Sequence, residues 1–423
     1  MKTLIFIGCN KHGSSRDAIA AAKQLGLHTV LLTDRPSFLR NRESFSYVDD
    51  MVWANLQDTE HVEHEIRERM QRRDVCAIIS FTDAHVLTAA RLAQKFNLPH
   101  QTVNAIARMQ DKLTLRECLR ESPYSIPFQR VSADSKRIEL WLELPVVVKS
   151  PRSTGSKDVF FASSSAEFEH YATRLRNRYP GYDLLVESYV SGPQFLAEVL
   201  VHEGQARVVA IVEQVITFGE RFIVTGYCIR PYVDSELRQA VEDMVADIRE
   251  RTGMETGAFH VEFRWSHHKC RIIEVNPRIS GAAMNRLIEY TTGINLAKET
   301  IRSLCGEEPD LTPQSRYVGY ARYLTVDEPG YLEKVTGRHR ARKIRGIREV
   351  FVQPHKNAYL MPPLSMGKRY AYVIAVAKDE EEAKSAAEKA ASCIRFHLRS
   401  TQSELKNRES KRGKYKVRGK AKG

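Results

Sequence analysis

From Thr256 the chain reads TGAFHVEFRWSHHKCRIIEVNPRISG, two runs in which polar and apolar residues alternate. His260, Glu262 and Arg264 alternate with Val261, Phe263 and Trp265. Glu274, Asn276 and Arg278 alternate with Ile273 and Val275. A period of two puts each polar set on one face of a strand and each apolar set on the other. The turn Ser266-His267-His268-Lys269 folds the strands into a hairpin, and a short loop is enough to face Glu262 to Glu274. Two carboxylates and the Asn276 amide carbonyl then share one small volume, with Arg278 beside them. Facing carboxylates repel unless a cation lies between them. This oxygen set suits Mg²⁺, or Mn²⁺ in its place, because Mg²⁺ takes one or two carboxylates together with substrate phosphates and water. A single Glu on a strand is ordinarily just solvated. Here E, E, N and R are backed by a strongly apolar face, which points to a site.

The chain of 423 residues, 42% of them hydrophobic, has room for two or three domains around one cleft. It has no apolar run of about 18 residues, so no membrane span is expected. The seven cysteines are scattered without a CxxC, which fits neither a disulfide framework nor a zinc site and suits a reducing cytoplasm. The net charge of +13 raises a nucleic-acid reading. About ten Lys/Arg against two Glu fall in residues 399–423, so roughly +8 sits in this end. Lys411, Arg412, Lys414 and Lys416 read as part of a solvated, disordered tail, and no specific nucleic acid is expected. The remaining body is mildly basic, as befits binding of a nucleoside triphosphate and an anionic intermediate.

Residues 1–103 alternate strand and helix: strands at 3–7, 28–33 and 76–81, helices at 16–25 and 84–96. This order predicts a parallel sheet with crossover helices, whose ligands gather at the carboxyl ends of strands. Asp83 is a substrate-side candidate on that ground. Residues 104–123 read as one linker helix carrying Lys112 and Arg116. Pro145 to Lys149 form a buried strand ending in a lysine, followed by a small-residue loop with Ser153, Thr154, Gly155 and Ser156. Such loops let backbone N–H groups approach phosphate oxygens, and a lysine at the strand end adds a point charge. Residues 184–192 (LLVESYVSG) offer backbone groups to an adenine ring. Two antiparallel strands, 195–201 and 206–215, precede a loop at 217–222 and an amphipathic helix at 235–252.

Taken together, P-V-V-V-K, the Ser/Gly loop, V-E-x-Y-V-x-G and E…E-x-N-P-R-x-x-G resemble the ATP-grasp superfamily over about residues 1 to 398. The resemblance implies an α/β ATP-grasp fold. Its expected parts are a Rossmann-like preATP-grasp domain (1–103), a linker helix (104–124), a small lobe (125–190) and a large lobe with the metal site (191–316). A C-terminal α+β subdomain (317–398) and the basic tail (399–423) follow. It also implies that Lys112, Lys149 and residues 153–156 contact ATP, and that Glu187, Tyr189 and Val190 border the adenine. Gln194 stands where the family often has a ribose-binding Glu. Glu262, Glu274 and Asn276 would hold Mg²⁺, and Arg278 would stabilise an acyl phosphate. His260, on the same face, would position substrate or move a proton, and Glu213 would recognise a substrate amino group.

The layout is most similar to the L-amino acid ligases, which make dipeptides from small-molecule carboxylate and amine substrates. That likeness implies ATP-dependent carbon–nitrogen ligation, and superfamily habit implies a homodimer. The competing readings are a biotin-carboxylase or carbamoyl-phosphate-synthase-like enzyme activating bicarbonate, and a nucleotide-binding regulator without turnover. The intact E, E, N, R set argues against the regulator.

Overall fold

The computed structural model describes residues 1–135, 138–150, 155, 157–218 and 222–399. The expectations placed on Ser153, Thr154, Ser156 and most of the basic tail therefore lie outside the described residues. The chain divides into two compact units. One comprises Met1–Ser153, Asp158–Gln214 and Ile229–Tyr317; the other comprises Thr154–Lys157, Val215–Cys228 and Val318–Gly423.

The first unit opens with the parallel sheet that the alternation predicts. Strands β1 (Thr3–Ile7), β2 (His28–Thr33), β3 (Asp50–Trp53) and β4 (Val75–Ile79) lie in the order β3-β2-β1-β4, all parallel. Ile5, Ile7, Val30, Leu32 and Ile78 form its core with Ala89, Leu92 and Ala93 of the Val86–Lys95 helix. β5 (Phe128–Val131), β6 (Val146–Lys149), β7 (Val159–Ala162) and β8 (Leu184–Ser188) build an antiparallel sheet in the order β5-β8-β6-β7. The Ser165–Arg178 helix covers it through Phe168, Ala172 and Leu175.

Next come β9 (Gln194–His202), β10 (Gln205–Phe218), β11 (Phe222–Ile229), β12 (Gly257–Ser266) and β13 (Lys269–Asn276). In the first unit they run in the order β13-β12-β9-β10. Glu203 and Gly204 both adopt positive φ, the conformation of a two-residue hairpin turn, and fix the β9–β10 register. Directly opposed residues share a face. One face of these strands carries Phe195, Ala197, Val199, Val261, Phe263, Ile272 and Val275. It is sealed by Leu237, Val241, Met244 and Ile248 of the Ser235–Thr252 helix and by Ala105, Met109 and Leu115. The polar residues are left on the opposite face.

Two local departures from the sequence reading matter. The expected single linker helix is broken into Val103–Gln110 and Lys112–Cys118. Asp111 takes an extended backbone and accepts the Thr114 N–H at 2.8 Å, so it ends one helix and caps the next. The second departure is a β-bulge. Glu262 opposes Glu274 while Phe263 opposes Ile272, so Ile273 is the extra, unpaired residue and falls out of the apolar set.

In the second unit, β14 (Val318–Leu324), β15 (Gly330–Thr336), β16 (Ile347–Val352), β17 (Tyr359–Leu360), β18 (Ala371–Ala377) and β19 (Arg395–Arg399) complete the strands. β11, β14, β18 and β16 are neighbours in that order, and β17-β15-β19 form a small sheet. The Glu380–Cys393 helix packs Ala383, Ala387 and Ala390 onto Val318, Val373 and Ala375; alanines let helix and sheet approach closely. The helix stops at Cys393, because 395–399 pairs with β15. Gly155 is described here, its carbonyl accepting the Met366 N–H at 3.2 Å. No helix among the described residues is long and apolar enough to cross a membrane.

Candidate functional site

The polar face of the β13-β12-β9-β10 strands carries Glu274 and Asn276, then His260, Glu262 and Arg264, then Gln194 and Glu198, then Gln214. Glu262 faces Glu274 and His260 faces Asn276, a register that the bulge at Ile273 sets, since the unbroken ladder from Ser266–Lys269 would oppose Glu262 to Ile273. The Lys112–Cys118 helix brings Lys112 to this face, where its Nζ donates to Glu274 Oε1 at 2.9 Å. Burial disfavours the Lys112 charge, yet the Glu274 carboxylate holds its pKa above the ordinary value. Burial also opposes ionisation of Glu274, but Lys112 and Lys149 outweigh it and push this carboxyl down to about 2. Glu262 moves the other way. Burial and the charge of Glu274 push it up to about 7.

A second cluster sits alongside. Glu187 on β8 is 1% exposed and Arg116 is 2% exposed. Arg116 Nε donates to one Glu187 oxygen and Lys149 Nζ to the other. Burial opposes this carboxylate, and the two cations more than compensate, lowering its pKa. Arg116 Nη2 also donates to the Ile272 and Ile273 carbonyls at 2.9 and 2.8 Å. These flank the bulged residue, so one guanidinium ties the bulge to β8.

Arg278 lies just past β13. Its Nε and Nη2 grip Asp83 at 2.5 and 2.6 Å, and its Nη1 donates to the Ile279 carbonyl at 3.0 Å. Asp83 follows β4 at the carboxyl edge of the parallel sheet, so the two candidates meet as a planar, bidentate pair. His260 Nδ1 donates to the Arg278 carbonyl at 2.8 Å. Burial and Arg278 push His260 down to about 4, leaving a neutral imidazole that holds the backbone of Arg278.

The structure distributes the other sequence candidates as follows. Gln194 Nε2 donates to Gln214 at 2.7 Å and to Glu262 at 3.3 Å. Tyr189 receives the Arg264 guanidinium on its ring, 5.0 Å from the centroid, and its hydroxyl accepts from Arg264 at 3.2 Å. Gly192 adopts φ +111, and a Cβ there would lie 2.2 Å from the Trp265 carbonyl oxygen, so this crossing over β12 admits only glycine. Tyr189 and Val190 line a cavity of about 690 Å³ with Phe128, Leu142 and Arg271. Glu213 does not join the polar face. It opposes Phe195, whose side chain lies in the core on the other face, and it pairs with Arg230 at 2.6 Å.

Sequence reading gave Arg116 no role and missed Glu198. Arg116 follows Lys112 by four residues, a spacing that puts both on one helix face. Glu198 is a lone carboxyl inside the apolar run of β9. It is 0% exposed, opposes His260, and accepts the Ser280 N–H at 3.0 and 3.3 Å. It therefore anchors the segment that carries Arg278. Burial pushes Glu198 up to about 7. The folded state thus holds a proton that the unfolded chain releases near pH 4.5. Stability contributed here is full below that pH, falls as pH rises toward 7, and stays lost above it. Glu198→Gln keeps an acceptor for Ser280 without the charge. It is expected to exceed the parent's stability at pH 8 by about 3 kcal/mol and to match it near pH 4.5, read by urea unfolding at both values. An equal effect at both would refute the assignment.

The donor chemistry fits a hard divalent cation: two facing carboxylates, Glu262 pushed up to about 7 by burial and by the charge of Glu274, with the Asn276 amide in the adjoining pair. Among the described residues no group of three or more His, Cys, Asp or Glu is placed to hold a metal ion, so the protein donors here are the two glutamates and the amide. Open positions for water and phosphate oxygens are what Mg²⁺ requires.

Comparison with known proteins adds independent findings. Residues 142–286 match the ATP-grasp domain, residues 19–100 the ATP-grasp N-terminal domain, and residues 322–399 the L-amino acid ligase C-terminal domain 2. The uncharacterized protein y4rH of Sinorhizobium fredii is 26% identical over 94% of this chain and 83% of its own. Mouse carnosine synthase 1 is 23% identical over 75% of this chain, which spans only 41% of that protein. The crystal structure of L-amino acid ligase from Bacillus licheniformis superposes with a TM-score of 0.80 at 20% identity, covering 95% of this chain and 99% of that one.

Proposed function

The chain is an ATP-grasp protein carrying an L-amino acid ligase C-terminal domain, and on that premise we propose that it is an ATP-dependent carboxylate–amine ligase that joins the carboxyl group of one amino acid to the amine of a second. The observation that carries the reading is the facing of Glu262 and Glu274 across β12 and β13, with Lys112 on the latter.

In this reading a substrate carboxylate oxygen attacks the γ-phosphorus of ATP, the bond to the β-phosphate oxygen breaks, and ADP leaves. The amine nitrogen then attacks the acyl carbon, the acyl–oxygen bond breaks, and phosphate departs with the amine proton passing to solvent. Lys112 and Lys149 are held by Glu274 and Glu187, and they exchange part of that contact for phosphate oxygens when nucleotide enters. Glu262, Glu274 and Asn276 would hold Mg²⁺, which would supply charge neutralisation on the phosphates. Arg278 presents a planar guanidinium to carboxylate and phosphate oxygens, oriented by Asp83, by His260 and by the Glu198–Ser280 contact. His260 acts as a positioning residue, because an imidazole with a pKa near 4 is neutral and already donating its N–H at working pH. Catalysis is then chiefly positioning and electrostatic stabilisation.

The reading is tested by ADP and phosphate release with Mg-ATP against the standard amino acids, singly and in pairs, with mass spectrometry of the products. Release that requires amino acids and yields a dipeptide supports it. ATP binding with no stimulation by any amino acid overturns the amino-acid assignment. A finer expectation concerns Arg278→Lys, which keeps the charge and loses the fork. We expect kcat/KM for the carboxylate substrate to fall by about 100-fold or more, with ATP affinity unchanged in equilibrium binding.

A further inference from the structure

Away from the polar face, two thiols approach each other. Cys76 lies on β4, and Cys305 directly follows the Leu296–Leu304 helix. Cys305 N–H closes the last turn of that helix on the Ile301 and Arg302 carbonyls at 2.9 and 3.0 Å. The two sulfur atoms are 3.6 Å apart although 229 positions separate them in sequence. Both residues are partly exposed, whereas Cys9, Cys228 and Cys270 are buried.

The contact is asymmetric. The Cys76 S–H also donates to the Thr3 carbonyl oxygen at 3.3 Å, a contact given up when this thiol ionises. The S–H of Cys305 directed at Cys76 favours thiolate character at Cys76, and the same contact together with burial disfavours it at Cys305. Reactivity follows the thiolate, so Cys76 is the attacking sulfur and Cys305 the resolving one. A disulfide bond of about 2.05 Å needs the sulfurs to close by roughly 1.6 Å. Gly306, next in the chain, has φ +80, and no heavy atom lies within 4 Å of where a Cβ would be.

We propose that Cys76 and Cys305 form a peroxide-reactive dithiol that oxidises to an internal disulfide, tying β4 to the end of the Leu296–Leu304 helix. The Cys76 thiolate attacks one oxygen of a hydroperoxide, the O–O bond breaks, and an alcohol or water leaves. The resulting sulfenic acid is attacked by the Cys305 sulfur, the S–O bond breaks, and water is released. Two thiols are oxidised, one hydroperoxide is reduced, and excess thiol reverses the bond.

The test uses the reduced full-length chain exposed to hydrogen peroxide, then unfolded for thiol titration and digested with trypsin. The protein is expected to lose two of its seven thiols and about 2 Da of mass. The peptides spanning residues 74–91 and 303–316 should be joined, and dithiothreitol should separate them. Cys76→Ser and Cys305→Ser should each abolish the joined product, while Cys118→Ser should still form it. Retention of all seven thiols, joining of other peptides, or oxidation of Cys76 only to sulfinic acid would overturn the proposal.

Discussion

Glu274→Ala is expected to lower amino-acid-dependent ADP release by about 1,000-fold or more, a loss of the size seen when a site's main charge stabiliser is removed. Glu274 is the carboxylate on which Lys112 rests, and Lys112 with Lys149 keeps it ionised with a pKa near 2. Without it, Lys112 loses its partner and Glu262 is the remaining acid of the facing pair. The fold should persist, because Glu274 lies on the polar face and Val275 beside it keeps the core contact. Glu274→Gln separates charge from shape. It retains an oxygen for Lys112 but no negative charge. Recovery of more than about a tenth of the parent's activity in Glu274→Gln would show that the charge is not what this position supplies.

Arg116→Met is expected to destabilise the protein by about 3–5 kcal/mol, the range for removing one partner of a buried ion pair. The guanidinium is 2% exposed and serves three acceptors: Glu187, Ile272 and Ile273. Methionine fills the space but leaves Glu187 with Lys149 alone and frees two carbonyls at the bulge. Denaturant unfolding reads the loss directly. Arg116→Lys should recover part of it, since one ammonium can reach Glu187 but cannot also span both carbonyls. A change below about 1 kcal/mol in Arg116→Met would mean that the bulge holds its shape without this residue.

Much of the site's frame was legible because its signal is periodic. Alternation through His260, Glu262 and Arg264, a short polar turn, and alternation through Glu274 and Asn276 show a hairpin with a polar face, but from the Ser266–Lys269 pair an unbroken ladder would set Glu262 opposite Ile273, and the bulge is what brings Glu262 opposite Glu274. The bulge was not legible. Ile272 and Ile273 are adjacent and alike, and nothing in the sequence says which is buried. The structure buries Ile272 and leaves Ile273 unpaired. The break between the linker helices carried a readable cap, Asp111 three residues before Thr114, but apolar spacing runs on through it and masks the stop. Glu198 stayed hidden because its role depends on Ser280, distant in sequence, and a lone carboxyl in an apolar strand announces no partner. The short β19 escaped because its five residues follow an alanine-rich helix after a single residue, with no Gly or Pro between them to mark the stop.

Isotope transfer tests the central claim most directly. An amino acid substrate labelled with ¹⁸O in its carboxylate is incubated with the full-length chain, Mg-ATP and an amine substrate, and the phosphate released is analysed by mass spectrometry. An acyl-phosphate route moves one carboxylate oxygen into phosphate, so one ¹⁸O per phosphate is the expected result. Unlabelled phosphate, with ADP and the joined product formed at the same rate, would contradict activation of the carboxylate at the γ-phosphate and with it the mechanism assigned to this site.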